Sequence, residues 1–148
     1  MKLLKRGSHT RVYRGDDGWV YKCSNPEFAE TEYQMLTRLK DSGYVPQVRR
    51  ISPTEIATED LGDQAESWRG ITDKKAFMAH LPKVLDALKA ARVRHGDLTK
   101  VSLIVVDNKP MLIDFAQSRD WDDPLPDKRP EGDIYWLART MVELCAFS

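Results

Sequence analysis

The sequence predicts an α+β fold in two small lobes: an antiparallel β-sheet with one helix, followed by a short helical part. Three observations carry this. Short strand signals separated by glycine-containing turns fill the first third. One well-capped helix interrupts them. Beyond residue 62 apolar residues recur at three- and four-residue steps, with a single hairpin set among them.

The elements follow in order. Residues 2–6 and 11–14 read as strands around Gly7-Ser8-His9-Thr10, and Gly15-Asp16-Asp17-Gly18 turns the chain into a third strand, Trp19 to Cys23. Asn25 is a good N-cap, Pro26 suits the first helical position, and Glu27 and Glu30 lie near the positive end of the dipole. That helix is expected to run through Leu39-Lys40, with Gly43 marking its end. Val45 to Arg50 and Glu55 to Thr58 read as two further strands. Glu59-Asp60-Leu61-Gly62-Asp63 breaks the pattern and reads as a linker, so the expected division is 1–62 and 63–148, together one domain. Phe77, Leu81, Val84, Leu85 and Leu88 form one apolar helix face, and Pro82 inside it should kink or restart the helix. Leu103 to Val106 and Met111 to Ile113 are strand-like runs around the turn residues Asp107-Asn108-Lys109-Pro110. Trp121 to Pro130 reads as loop. Glu131 to Cys145 reads as a last helix with Ile134, Leu137, Ala138, Met141, Leu144 and Cys145 toward the core.

Composition narrows the function classes. Lys+Arg and Asp+Glu are both 23 in 148 residues, which argues against a general nucleic-acid binder. Two cysteines, Cys23 and Cys145, form neither a disulfide framework nor a Cys-x-x-Cys pair. No apolar run approaches the roughly 18 residues of a membrane span, and no apolar segment follows the basic Met1 to Arg6 stretch as in a signal peptide. These features fit a reduced, cytoplasmic protein. Cys145-Ala146-Phe147-Ser148 has the form of a prenylation box, but no polybasic segment precedes it and Cys145 also continues the helix face.

The chemistry concentrates in His95-Gly96-Asp97-Leu98 and Ile113-Asp114-Phe115, which the hairpin brings together. Two carboxylates in one cleft suit a divalent metal and a proton acceptor, the parts that phosphoryl transfer from ATP requires. A glycine-containing turn, then a lysine on the third strand, then a helix with a glutamate is the order of a protein-kinase ATP cradle. Gly7 and Ser8 would cover the phosphates, although one glycine alone also fits an ordinary hairpin turn. Lys22 would bind the α- and β-phosphates, held extended by Glu32. Glu27 and Glu30 compete for that role, and Glu30 lies about 200° around the helix from Glu32. Asp97 would accept or orient the proton of the attacking hydroxyl, and Asp114 would hold Mg²⁺. His95 reads as loop support.

His95-Gly96-Asp97-Leu98-Thr99 and Leu112-Ile113-Asp114-Phe115-Ala116-Gln117-Ser118 resemble the catalytic and metal-binding loops of the protein-kinase-like superfamily. The resemblance is strongest to small atypical members: RIO kinases, the kinase of the tRNA-threonylcarbamoylation complex, and the lipopolysaccharide-core kinases. Ile113 to Ser118, with Asp122-Asp123-Pro124 soon after and a short passage to a helix bearing Asp133, is especially RIO-like. The resemblance implies a minimal bilobal kinase-like fold with ATP and Mg²⁺ as cofactors. It implies a hinge at 59–62, with Thr58 as gatekeeper and the backbone of Glu59 and Leu61 on the adenine. It also implies that Asp133 braces the catalytic loop. Where the family usually has asparagine, five residues after Asp97, this chain has Ser102, whose hydroxyl is a shorter metal ligand. Lys100 would help neutralise the γ-phosphate, or be a solvated loop lysine. One helix beyond the metal loop makes a short second lobe, from which a homodimer or a covering protein partner is expected.

The leading expectation is an ATP- and Mg²⁺-dependent phosphotransferase of RIO-like type, acting on a hydroxyl of unknown identity (protein serine or sugar) or hydrolysing ATP as a switch. The alternative, motivated by Ser102 and the short second lobe, is a nucleotide-binding pseudokinase serving as an interaction module. A purely structural domain is a third reading, against which the joint presence of Lys22, Asp97 and Asp114 argues.

Overall fold

In a computed structural model, the described residues are 2–7, 10–63, 67–96, 98, 102–122, 132–133, 138–139 and 142. Strands β1 (Lys2–Arg6), β2 (Arg11–Arg14), β3 (Trp19–Cys23), β4 (Val48–Ser52) and β5 (Glu55–Glu59) form an antiparallel sheet in the order β1-β2-β3-β5-β4. Helix α1 (Pro26–Arg38) packs on one face of it. The helix starts where expected: the Asn25 side chain accepts the Phe28 N–H at 2.8 Å, with Pro26 in the first turn.

Strand alternation decides what faces this helix. Val20 pairs with Thr58, and Lys22 pairs with Ile56, so all four share one face. Ile56 joins Ala29, Met35, Leu36 and Leu39 of the helix region in the core. Lys22 is therefore delivered to the helix side of the sheet, not to solvent. Trp19, Tyr21 and Arg49 take the opposite face, where the Arg49 guanidinium lies 3.8 Å from the Trp19 ring centroid.

Two boundaries differ from the sequence expectation. β4 begins at Val48 rather than Val45, because Tyr44, Val45 and Pro46 are buried in the packing between the sheet and the later elements. α1 ends at Arg38, one turn before Gly43.

After a 3-10 turn at Ser67–Gly70 comes α2 (Lys74–Ala91), capped by Asp73 on the Ala76 N–H at 3.0 Å. Phe77, Leu81, Val84 and Leu88 are almost fully buried and Leu85 half-buried, the face expected from periodicity. Pro82 does not restart the helix, which is continuous from residue 74 to 91. Its ring sits on the exposed face, where water can satisfy the carbonyl that loses its N–H partner.

Short strands β6 (Val93–Arg94) and β9 (Arg119–Asp120) pair with each other, and β7 (Leu103–Val106) pairs with β8 (Lys109–Leu112). The β7–β8 hairpin turns on Asp107 and Asn108 alone, at φ 50° and 62°, the pattern of a two-residue type I′ turn. Lys109 and Pro110 thus belong to the strand rather than the turn. Pro110 faces Val105, one step from the closing pair Val106–Lys109 and hence a non-hydrogen-bonded position, so its missing N–H costs the ladder nothing. Two steps further, Leu112 has its N–H on the outer edge, and it donates to the Tyr44 carbonyl at 2.7 Å. That bond ties the hairpin to the segment before β4.

Asp133, Ala138, Arg139 and Val142 are helical, in the span expected to be the last helix. Ala138, expected in the core, is exposed. Ile134, Leu137, Met141, Leu144 and Cys145 lie outside the described residues. No helix among the described residues is long and apolar enough to cross a membrane.

Candidate active site

The site forms where β3, α1 and the end of the β7–β8 hairpin meet. Lys22 Nζ lies 2.8 Å from Glu32 Oε2 and 3.5 Å from Asp114 Oδ1. Of the three helix glutamates, Glu32 is the one that turns inward. Glu30 instead pairs with Arg50 of β4 at 2.6 Å, away from Lys22 as its angular offset from Glu32 requires. The Glu32 side chain is 6% exposed and that of Lys22 15%, whereas Asp114 keeps 38% open to the cleft. Burial disfavours the Lys22 ammonium, but the two carboxylates outweigh it and hold its pKa above the ordinary 10.5.

Asp114 occupies a left-handed conformation, φ 63°, uncommon for a residue with a side chain. The flanks hold it there. The Ile113 N–H donates to the Ser102 carbonyl at 2.9 Å, extending the hairpin ladder by one pair. Phe115 is fully buried, and its carbonyl accepts both the backbone N–H of Ser118 (3.0 Å) and the Ser118 hydroxyl (2.5 Å). Ser102, also buried, therefore sits across the ladder from the residue that precedes Asp114.

The loop around His95 is fixed from two sides. Asp133 accepts the backbone N–H groups of His95 (2.9 Å) and Gly96 (2.8 Å), one on each carboxylate oxygen. Gly96 has φ 89°, a conformation that costs glycine little and lets two successive N–H groups converge on one carboxylate. The His95 ring, 1% exposed, has Nε2 at 2.7 Å from the Ile113 carbonyl and meets the Phe115 ring edge-on at 4.7 Å. It joins the two loops as a support, as expected. Asp97, Lys100 and Ser8 lie outside the described residues, while Leu98, just after Asp97, is fully buried.

At the expected hinge, Thr58 lies half-buried on β5, in register with Val20. The Glu59 N–H donates to the Gln47 carbonyl at 3.0 Å, and the Glu59 carboxylate accepts the Gln47 N–H at 2.8 Å. The Gly7 N–H closes its turn on the Thr10 carbonyl at 2.7 Å. Sequence reasoning missed Arg14. Its guanidinium grips Asp60 at 2.7 and 3.2 Å and Asp63 at 2.9 Å, across 46 and 49 residues. No local pattern announces a pair that distant.

The donor set can be tested for a divalent cation. Asp114 and Ser102 offer hard oxygens, which suit Mg²⁺. Among the described residues no cluster of three or more His, Cys, Asp or Glu could hold a metal by itself. An ion here would be shared with phosphate oxygens, the usual manner of Mg²⁺.

No curated protein matches the chain. The family described as the RIO domain, an atypical protein-kinase-like family, matches residues 12–142 of the 148. That span takes in β2 from Val12 onward, β3, the Lys22–Glu32 pair and both loops. The chain belongs to the RIO domain family.

Proposed function

We propose that this domain is an ATP- and Mg²⁺-dependent phosphotransferase, delivering the γ-phosphate to a hydroxyl of a protein or sugar, or to water in a switching cycle. The observation that carries the reading is Lys22 held between buried Glu32 and open Asp114. At 2.8 Å the Glu32 contact is a full charge-assisted hydrogen bond, while 3.5 Å to Asp114 is loose. A triphosphate oxygen can replace the loose contact without disturbing the firm one.

The division of labour follows. Residues 1–62 would form the lobe that binds nucleotide and 63–148 the lobe that carries Asp97 and Asp114, with the hinge at 59–62. Lys22 would hold the α- and β-phosphates, and Gly7 and Ser8 would cover them. The Gln47 N–H is spent on the Glu59 carboxylate rather than its carbonyl, which supports a role for the Glu59 carbonyl and the Leu61 N–H in holding adenine below Thr58. Asp114 and Ser102 would hold Mg²⁺, which supplies neutralisation of phosphate charge when bound. Asp97 would take the acceptor proton, in a loop whose flanks are pinned by Asp133 and by burial of Leu98. Lys100 would balance charge on the γ-phosphate. A cytoplasmic setting belongs to the same reading and rests on cysteine usage.

Transfer from γ-labelled ATP checks the role of Asp97. Asp97→Asn is expected to lower the rate by about 10²-fold or more while ATP still binds. A rate like that of wild type contradicts the assignment. Ser102, buried and neutral at a position where asparagine is usual in the family, favours one other reading, a nucleotide-binding pseudokinase. ATP binding indifferent to Mg²⁺, with no ADP formed, would select it.

A further inference from the structure

We propose that Arg14 is a positioning residue for the adenine end of the nucleotide; the proposal rests on the reading of this cleft as an ATP site. Arg14 ends β2, the strand that leaves the Gly7–Thr10 turn, and it reaches across to residues 60 and 63. It therefore connects the strand bearing the phosphate-side turn to the segment that would hold the base.

The Asp60 carboxylate and N–H are both engaged within the protein. Its two carboxylate oxygens take the Arg14 fork at 2.7 and 3.2 Å, and Oδ1 also accepts the Gly62 N–H at 2.9 Å. Its own N–H donates to the Gly18 carbonyl at 3.0 Å. Gly62 takes φ 103°, so the turn closes tightly beyond Leu61. With the Asp60 carboxylate and N–H so engaged, the base would meet the Glu59 carbonyl and the Leu61 N–H beside it. One accepts and one donates, which complements the exocyclic amine and a ring nitrogen of adenine.

Arginine suits this task because its planar fork fixes a direction as well as a charge. The pair is only 24% and 20% exposed, so it is less screened than a surface ion pair. Burial works against ionising Asp60, but Arg14 and the Gly62 N–H hold its carboxyl below the usual carboxylate range. The clamp thus stays charged at neutral pH. A mouth braced before the nucleotide arrives saves ordering cost on binding, which appears as affinity and not as a faster chemical step.

Calorimetric titration of the whole chain with ATP, and separately with inorganic tripolyphosphate, both with Mg²⁺, tests this. Arg14→Gln should weaken ATP by about tenfold, the loss of one charge-assisted contact's worth of order. It should leave tripolyphosphate within about twofold, since that probe has no base, and kcat for ADP release likewise unchanged. Arg14→Lys, which keeps the charge but not the fork, should fall between. Equal weakening of both probes, or an unchanged ATP affinity, overturns the proposal. Wild type that binds tripolyphosphate but gains nothing from the nucleoside of ATP also overturns it. Wild type that binds neither contradicts the ATP-site reading as well, so the two failures are separable.

Discussion

Lys22 is where sequence, packing and chemistry meet in one side chain. Strand period places it on the helix side, the helix phase places Glu32 opposite, and the hairpin brings Asp114. Glu32→Gln keeps the shape and removes the charge. It should lower the rate of ADP formation by about 10²-fold through misplacement of Lys22, and destabilise the fold by about 1–3 kcal/mol in urea titrations. The pH dependence has a definite sign. The native Lys22 pKa lies above 10.5, so the pair's contribution is whole below pH 10.5 and lost as pH rises through the raised native value. The stability gap between wild type and Glu32→Gln should therefore shrink in strongly alkaline buffer; a constant gap would contradict the pairing. Cys23 gives a second check. Burial and the neighbouring Glu55 carboxylate, 2.9 Å from Sγ, raise its thiol to about 11. In a Cys145→Ser background its alkylation should be slow at pH 8 and accelerate only near pH 11. At this scale the sequence was informative where a partner lies within one helix phase, as with Lys22 and Glu32. It was silent on Arg14, whose partners are set by the tertiary fold.

Helix α1 is attached to the segment from Asp114 to Asp120 at two points. Glu32 reaches Asp114 through Lys22, and Arg38 reaches Asp120 on β9 at 2.8 Å and the Arg92 carbonyl at 3.3 Å. The second attachment is about one-third exposed on each side, so it is worth at most about 1 kcal/mol. Arg38→Ala should slow ADP release by about two- to fivefold, and the charge swap Arg38→Asp with Asp120→Arg should recover most of it. The hairpin offers a separate test. Asn108 tolerates its positive φ and also accepts the N–H groups of Thr72 (2.8 Å) and Asp73 (3.0 Å), fastening the turn to the start of α2. Asn108→Gly relieves strain but deletes these bonds, so thermal unfolding should show a net cost of about 1–2 kcal/mol. The adjacent Asp107→Gly should stay within about 0.5 kcal/mol. The sequence pattern located the hairpin and α2 because both are periodic. It misplaced Pro110 and left open whether Pro82 kinks or restarts α2, since what proline does depends on which edge or face it occupies, and that is a tertiary fact.

Among the described residues, a five-stranded sheet with α1 is followed by α2 and two small strand pairs, and the candidate site lies among loops that several elements hold. Strand order β1-β2-β3-β5-β4 keeps β3 and β5 adjacent, so Lys22 and Thr58 share one face of the sheet. The fold class was legible because strand alternation, caps and helical periodicity are local signals. The pairing of β6 with β9 was not, since two-residue strands carry no period to read. The central claim is that the Lys22, Glu32 and Asp114 arrangement is a working phosphoryl-transfer site. Release of ADP from ATP, with and without Mg²⁺, for wild type and Asp114→Asn tests it most directly. The account predicts Mg²⁺-dependent release by wild type and its loss in Asp114→Asn. Release by Asp114→Asn at the wild-type rate, or release by wild type that ignores Mg²⁺, would contradict it.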